Sequence, residues 1–332
     1  MTKNYPAAVL RVVGTPPVID GRTRFREIFC QLLAAEHEDP ERRGRCEDYL
    51  LRLSDERVRT GISTPAAELM PRCRVIVVPD SFNGCFAGIA APFEDAMPSL
   101  KDRGIKIDVL DVGGRSGIDT DAAYLDARIR NLDLAEDERL ILVGYSKGIV
   151  DILQFLINYP AVSRRVDAVI SVAGAVNGSP LAGRLDTVYA EAGRRFKTGG
   201  CNADNEEVVE SLLPAVRLSW LATHPLPKAV HYFSLAAMTQ RDHINALLKS
   251  GYDFLWIYSP RNDGMLLISD QLIPGGTLLG YANVDHWSVA LALEDKQRSI
   301  SETIRAPGRF PRGVMLRALL VYVAETLESG QE

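Results

Sequence analysis

Short apolar runs alternate with amphipathic stretches along the chain, and the alternation becomes regular from Arg74 onward. Apolar runs rich in β-branched residues are typical of buried strands, whereas apolar positions three and four apart are typical of helices that cover a sheet. Strands are predicted at 75–78, 105–110, 140–143, 166–173, 254–258 and 277–281. Helices are predicted at 93–101, 119–132, 149–157 and 313–327. This order indicates an α/β fold with a mostly parallel sheet and helices on both faces.

Two parts of the chain depart from this rhythm. Residues 1–70 are interpreted as an N-terminal extension, with a strand at 7–13 and charged amphipathic helices at 23–36 and 41–53. Residues 181–250 carry mainly helical patterns, at 181–195, 205–222 and 234–249. We interpret them as a helical cap inserted after the sixth strand, with plain extra helical packing as the alternative. The core of the fold is then predicted to comprise 71–180 and 251–332.

One strand-to-helix junction carries the motif Gly144-x-Ser146-x-Gly148. An apolar run typical of a strand precedes the motif, and a helical pattern follows it. In this context the motif indicates a nucleophile elbow. A serine on so tight a turn is strained, and the positions two residues away must be nearly free of side chain. The start of the helix adds N–H groups and a partial positive charge where an oxyanion forms. Ser146 is therefore the predicted nucleophile.

A serine hydroxyl needs a general base, and the base needs a carboxylate that orients it. In an open α/β sheet these groups come from loops at the carboxyl ends of later strands, in the order serine, acid, histidine. Asp263 and His286 each stand just past the end of one of the last two predicted strands. They are the predicted acid and base. Asp270 is the main rival for the acid, whereas Asp285 adjoins His286, so that its side chain is expected to diverge from the ring.

The oxyanion hole is predicted to use two backbone N–H groups. One is that of Lys147, directly after the nucleophile, and the other comes from the loop after the first buried strand. In that loop Ser81 is the first candidate and Phe82 the second.

Three segments resemble the α/β-hydrolases, and more narrowly the bacterial lipase and lipase-like esterase branch. They are 143–148 around the elbow, the small-residue stretch 171–182, and Asn262-Asp263-Gly264 together with the later Asp-His pair. The resemblance implies a serine hydrolase of ester bonds with Ser146, Asp263 and His286 as its catalytic triad.

The sequence departs from that branch in two places. Pro79-Asp80 replaces the usual His-Gly after the first core strand, and 287–291 lack the carboxylate with which many secreted lipases bind calcium. No metal and no cofactor are therefore expected. The Gly-Tyr-Ser-x-Gly variant also occurs in thioesterases, which keeps an acyl-thioesterase or acyltransferase as the alternative function.

Composition narrows the choice of partners and compartment. The chain has 332 residues with a net charge of −5 and no Lys/Arg-rich cluster, so no nucleic-acid partner is expected. No apolar run is long enough to span a membrane. The start lacks a secretory pattern, and the five cysteines are irregularly spaced, which together predict free thiols and a cytoplasmic location.

The predicted partner is a small-molecule acyl ester or thioester, with a carrier-bound acyl chain left open. The hypothesis from another class is a non-catalytic α/β-hydrolase scaffold that binds a ligand through the cap and the N-terminal segment.

Overall fold

The computed structural model describes residues 16–36, 44–53, 55–62, 72–80, 91–110, 117–185, 206–293 and 310–329. The predicted strand at 7–13 lies outside these residues. Within them, one eight-stranded sheet organises the chain. Its strands are β1 (Ile19–Asp20), β2 (Leu50–Leu51), β3 (Cys73–Val78), β4 (Lys106–Val109), β5 (Arg139–Tyr145), β6 (Ala168–Val172), β7 (His231–Ala237) and β8 (Thr277–Ala282).

The strand order is β1-β8-β7-β6-β5-β3-β4, and every neighbouring pair in this order is parallel. Only β2 is antiparallel, and it pairs with β8. Because parallel strands all end at the same edge, the loops after β5, β6, β7 and β8 meet there. The site described below lies at this edge.

Apolar side chains alternate between the two faces of the sheet. In β3, Ile76 and Val78 belong to one buried cluster, whereas Val75 and Val77 belong to another. A strand buried on both faces reads as a continuous apolar run, as β3 does. The α-helices of the described residues are Arg22–Glu36, Cys46–Tyr49, Met97–Asp102, Ile118–Arg130, Gly148–Asn158, Pro160–Ser163, Glu206–Ser211, Pro214–Thr223, Lys249–Trp256 and Arg312–Ser329.

The helices divide between the two clusters. Ile118–Arg130 and Gly148–Asn158 pack on the face of Ile76, and Arg22–Glu36 and Arg312–Ser329 pack on the face of Val75. This arrangement is the predicted one: a mostly parallel sheet covered by helices on both sides.

The prediction of a strand at 254–258 is wrong. Residues Lys249–Trp256 form a helix that turns Gly251, Tyr252 and Leu255 inward. The apolar run that suggested a strand is largely exposed, with Ile257 78% accessible. Its hydrophobicity reflects the surface end of a helix and not a buried strand.

The prediction of a helix at 234–249 is also wrong. The sheet strand at this position is β7, which lies between β6 and β8 and is buried from Phe233 onward. A strand enclosed on both faces has no period-2 pattern, so its residues cannot be told from a buried helix by periodicity alone.

These two corrections move the boundaries of the predicted domains. The proposed cap at 181–250 includes β7, which belongs to the sheet, so the core is not confined to 71–180 and 251–332. The described residues between β6 and β7 contain the α-helices Glu206–Ser211 and Pro214–Thr223 and the short 3-10 helix Ala182–Arg184.

The N-terminal extension at 1–70 is also joined to the sheet. β1 and β2 both pair with β8, and helix Arg22–Glu36 packs on helix Arg312–Ser329. The helix predicted at 41–53 is shorter in the described residues: Cys46–Tyr49 is helical and leads directly into β2.

The prediction that all cysteines are free thiols is wrong for Cys30 and Cys46. They form a disulfide that links helix Arg22–Glu36 to helix Cys46–Tyr49. Their Cα atoms are 5.3 Å apart, which is within the range that a disulfide requires. Irregular spacing along a sequence does not exclude such a pair, because the fold decides which cysteines meet. The cytoplasmic location, which rested partly on free thiols, stays a prediction.

Among the helices that the structure describes, none has the length and hydrophobicity to cross a bilayer.

Candidate active site

The elbow joins the end of β5 at Tyr145 to helix Gly148–Asn158. Ser146 has a φ of 54°, in the left-handed region where a residue with a side chain is strained. Its N–H donates to the carbonyl of Val172 at 3.3 Å, and its carbonyl accepts from the N–H of Ala175 at 3.0 Å. The end of β6 and the loop after it therefore hold the strained residue in place.

The two glycines of the motif are required by close backbone contacts. A Cβ atom on Gly144 would lie 2.5 Å from the Cα of Ile149. A Cβ atom on Gly148 would lie 2.1 Å from the carbonyl oxygen of Val78. Both distances are far below van der Waals contact, and both neighbours are backbone atoms that cannot swing aside.

Ser146, His286 and Asp263 form a continuous row of hydrogen bonds. The Nε2 atom of His286 lies 2.9 Å from Ser146 Oγ, and its Nδ1 atom lies 2.7 Å from Asp263 Oδ2. An ionised carboxylate only accepts, so Nδ1 carries the ring proton and Nε2 accepts the proton of the serine hydroxyl. The row can thus move a proton from Ser146 to His286 and stabilise the resulting imidazolium.

Asp263 is held by its own turn. Its Oδ1 atom accepts the N–H groups of Met265 at 2.9 Å and Leu266 at 2.7 Å. Its backbone carbonyl accepts the N–H of His286 at 2.9 Å. Asp263 therefore positions both the ring and the backbone of His286.

The two rival carboxylates bind elsewhere. Asp285 accepts the N–H groups of Trp287 and Ser288 at 3.0 and 2.9 Å, and so caps the turn that follows β8. The carboxylate of Asp270 contacts the hydroxyl of Ser269 at 3.3 Å. Burial, opposed by that hydroxyl and reinforced by Asp263, raises the pKa of Asp270 to about 7.

Gln271 belongs to the site, although the sequence gives no signal for it. Its side chain binds the backbone of Ala237, at the end of β7, through both the N–H (2.6 Å) and the carbonyl (2.9 Å). Its Nε2 atom also lies 3.4 Å from Asp263 Oδ2. A buried glutamine that ties the acid to the sheet is visible only once β7 is placed.

The electrostatics around His286 favour its charged form. Burial by itself would lower the pKa of His286, but the charge and hydrogen bond of Asp263, with further contributions from Asp80 and Asp285, raise it above its ordinary value. An imidazolium formed here during a reaction is therefore stabilised by carboxylates on three different loops.

Of the predicted oxyanion donors, Ser81 and Phe82 lie outside the described residues. Lys147 stands directly before helix Gly148–Asn158, where the helix start provides N–H groups. Its side chain is fully buried and forms ion pairs with Asp121 at 2.8 Å and Asp151 at 2.6 Å. Burial, offset by Lys147 and reinforced by Asp121 and Asp80, raises the pKa of Asp151 to about 7. Lys147, the residue after Ser146, is thus anchored by charge, which its position in the motif does not reveal.

The topology of the sheet, the elbow and the loops that follow β7 and β8 are those of an α/β-hydrolase. A metagenomic carboxyl esterase, MGS0156, is 34% identical to this chain, with a TM-score of 0.83 and an alignment that covers 97% of each chain. The chain therefore belongs to the family of this carboxyl esterase, and it is a carboxylester hydrolase.

More distant solved structures share the fold. The mature lipase BlEst2 of Bacillus licheniformis is 22% identical, with a TM-score of 0.51 over 66% of this chain and 88% of the lipase. EstA of Clostridium botulinum is 12% identical, with a TM-score of 0.56 over 92% of this chain and 99% of its own. No protein-family model matches the chain. No curated protein sequence matches it either.

Proposed function

We propose that the chain hydrolyses small-molecule carboxylic esters through a covalent acyl-enzyme on Ser146, with His286 as general base and acid and Asp263 as the orienting carboxylate. The observation that carries the proposal is the row of two hydrogen bonds, 2.9 and 2.7 Å long, that joins the strained serine to the histidine and the histidine to the aspartate. Membership of a carboxyl esterase family supports the choice of an ester as substrate.

In the first half of the reaction, Ser146 Oγ bonds to the acyl carbon while its proton passes to His286 Nε2. Asp263 keeps the other ring nitrogen protonated and stabilises the imidazolium. The N–H of Lys147, with that of Ser81 or Phe82, is the proposed donor set for the tetrahedral oxyanion. Collapse of this intermediate breaks the bond to the alcohol, which leaves with the proton from His286.

In the second half, a water molecule gives a proton to His286 and attacks the acyl carbon. Collapse returns that proton to Ser146 Oγ and releases the carboxylic acid. A free small-molecule ester is the proposed substrate, because the protein that is 34% identical to this chain is a carboxyl esterase. A panel of p-nitrophenyl esters of graded acyl length measures which acyl group the site accepts.

The proposal is tested with Ser146→Ala. We expect turnover of p-nitrophenyl butyrate to fall by at least about 10⁴-fold and labelling by a fluorophosphonate to disappear, because no other group supplies the attacking oxygen. Ser219→Ala, at an exposed position on helix Pro214–Thr223, is the matched control and should leave both unchanged. Retention of labelling or of turnover by Ser146→Ala would refute the assignment.

A further inference from the structure

Tyr145 links the nucleophile and the base, although the mechanism above assigns it no part. It is the last residue of β5, directly before Ser146, and its side chain is 1% exposed. Its hydroxyl donates to the backbone carbonyl of His286 at 2.8 Å. The same side chain therefore reaches across the site from the strand of the nucleophile to the loop of the base.

The aromatic ring of Tyr145 also lies against the imidazole of His286. The ring centroids are 5.5 Å apart and the planes are inclined by 30°. An aromatic face attracts a cation whose centre lies within about 6 Å of the ring centroid, and the attraction is stronger where water is excluded. Both side chains are buried, so the contact is of the stronger kind.

The hydroxyl of Tyr145 stays protonated through the working range of pH. Burial, reinforced by the charges of Asp80, Asp263 and Asp285, raises the pKa of Tyr145 well above its ordinary value. The residue therefore offers a neutral aromatic face and a constant hydrogen-bond donor. Asp80, Asp263 and Asp285, by contrast, act on His286 through their negative charge.

We propose that Tyr145 is a positioning residue that holds His286 through its hydroxyl and, through its ring, stabilises the imidazolium selectively over the neutral imidazole. The inference rests on the proposed function, because the imidazolium is the form that His286 adopts while Ser146 attacks. A contact that strengthens only when the charge develops lowers the barrier and does not merely bind the ground state.

The most direct test changes the electron density of the aromatic ring at position 145 while keeping the shape of the ring. Tyr145→Phe keeps the ring and removes the hydroxyl, and 4-fluoro-, 3,4,5-trifluoro- and pentafluorophenylalanine at the same position withdraw electron density stepwise. We expect the pKa of His286, read by NMR titration of the labelled imidazole, to fall with each step and to be lower by roughly half to one unit for the pentafluoro ring than for Tyr145→Phe.

The rates should follow the same order. We expect kcat for p-nitrophenyl butyrate to fall by about threefold to tenfold between Tyr145→Phe and the pentafluoro variant, with KM little changed, because the lost interaction belongs to the charged state. The acidic limb of the pH profile of kcat/KM should move to lower pH by the same amount as the NMR titration. A purely structural role predicts no trend across rings of nearly equal size.

The inference is overturned if the pKa of His286 and kcat are the same across the fluorinated series, or if they rise with fluorination. Its failure is separable from failure of the proposed function. The NMR titration is repeated in the Ser146→Ala background, where it needs no turnover. A trend in the pKa there supports the contact even if Ser146→Ala stays active, and a flat series in an enzyme that requires Ser146 refutes the contact alone.

Discussion

Asp263→Asn is the substitution for which the structure gives the most specific expectation. Two backbone N–H groups, those of Met265 and Leu266, point at Asp263 Oδ1 from 2.9 and 2.7 Å. They fix the carbonyl oxygen of the substituted amide at the Oδ1 position, so that its NH₂ group faces His286 Nδ1. A donor at this place requires Nδ1 to accept, which moves the ring proton to Nε2. The nitrogen that faces Ser146 Oγ then cannot take its proton.

The wrong tautomer, together with the lost charge, should reduce kcat by roughly 10⁴-fold, about 5 kcal/mol of transition-state stabilisation. We expect this loss in a steady-state assay with p-nitrophenyl butyrate, followed for long enough to measure the slow variant. The melting temperature should stay within a few degrees of that of the unsubstituted enzyme, because the shape of the side chain is kept. Asp270→Asn is the matched control, since its carboxylate is nearby and contacts another partner, the hydroxyl of Ser269. An Asp263→Asn enzyme within tenfold of the unsubstituted enzyme, or an Asp270→Asn enzyme that loses as much, would show that the acid has been misassigned.

Three further outcomes are expected. Gly148→Ala should lower the free energy of unfolding, measured by urea denaturation, by about 3 kcal/mol or prevent folding, because the added Cβ atom would collide with the carbonyl oxygen of Val78. Gly183→Ala is the control: no atom lies within 4 Å of its added Cβ atom, so its free energy of unfolding should be nearly unchanged. Burial raises the pKa of Asp270 to about 7, so the folded state binds more protons than the unfolded state between roughly pH 4 and 7, and stability falls as pH rises through that window. Asp270→Asn should therefore gain up to about 4 kcal/mol over the unsubstituted protein at pH 8 and nothing at pH 4. The Cys30–Cys46 disulfide spans 16 residues of sequence, and its reduction should lower the free energy of unfolding by roughly 3 kcal/mol. A melting temperature that is unchanged by dithiothreitol, or by the substitution Cys30→Ser, would contradict this expectation.

The sequence predicts well those parts of the fold whose local pattern has one interpretation. β5 and helix Gly148–Asn158 are separated by a pentapeptide whose glycines have a single steric explanation, and the structure has the strand, the turn and the helix as expected. The strand predicted at 277–281 is β8, and the closing helix predicted at 313–327 is Arg312–Ser329. Each of these elements is indicated by local sequence alone, through its apolar pattern or through a flanking glycine or proline.

The sequence fails where the deciding interaction is between distant residues. Cys30 pairs with Cys46 because helix Arg22–Glu36 is packed beside the segment that precedes β2. The buried ammonium of Lys147 is held by Asp121, which is 26 residues away on helix Ile118–Arg130. Neither partner can be chosen from spacing, because each depends on which elements of the fold come together.

The sequence predicts a strand just before Asp263, where the structure has a helix, yet Asp263 lies beside His286 as expected. Asp263 lies in the long connection between β7 and β8, not directly after a strand. Gln271 returns that connection to the sheet by binding both backbone groups of Ala237, and Ser234 Oγ accepts the N–H of Ile273 at 3.0 Å. The carboxylate is therefore fixed relative to β7, as His286 is fixed relative to β8, and the two strands are neighbours. The adjacency of two parallel strands brings Asp263 beside His286, so the order of these two residues along the chain remains informative even when the element before Asp263 is misread.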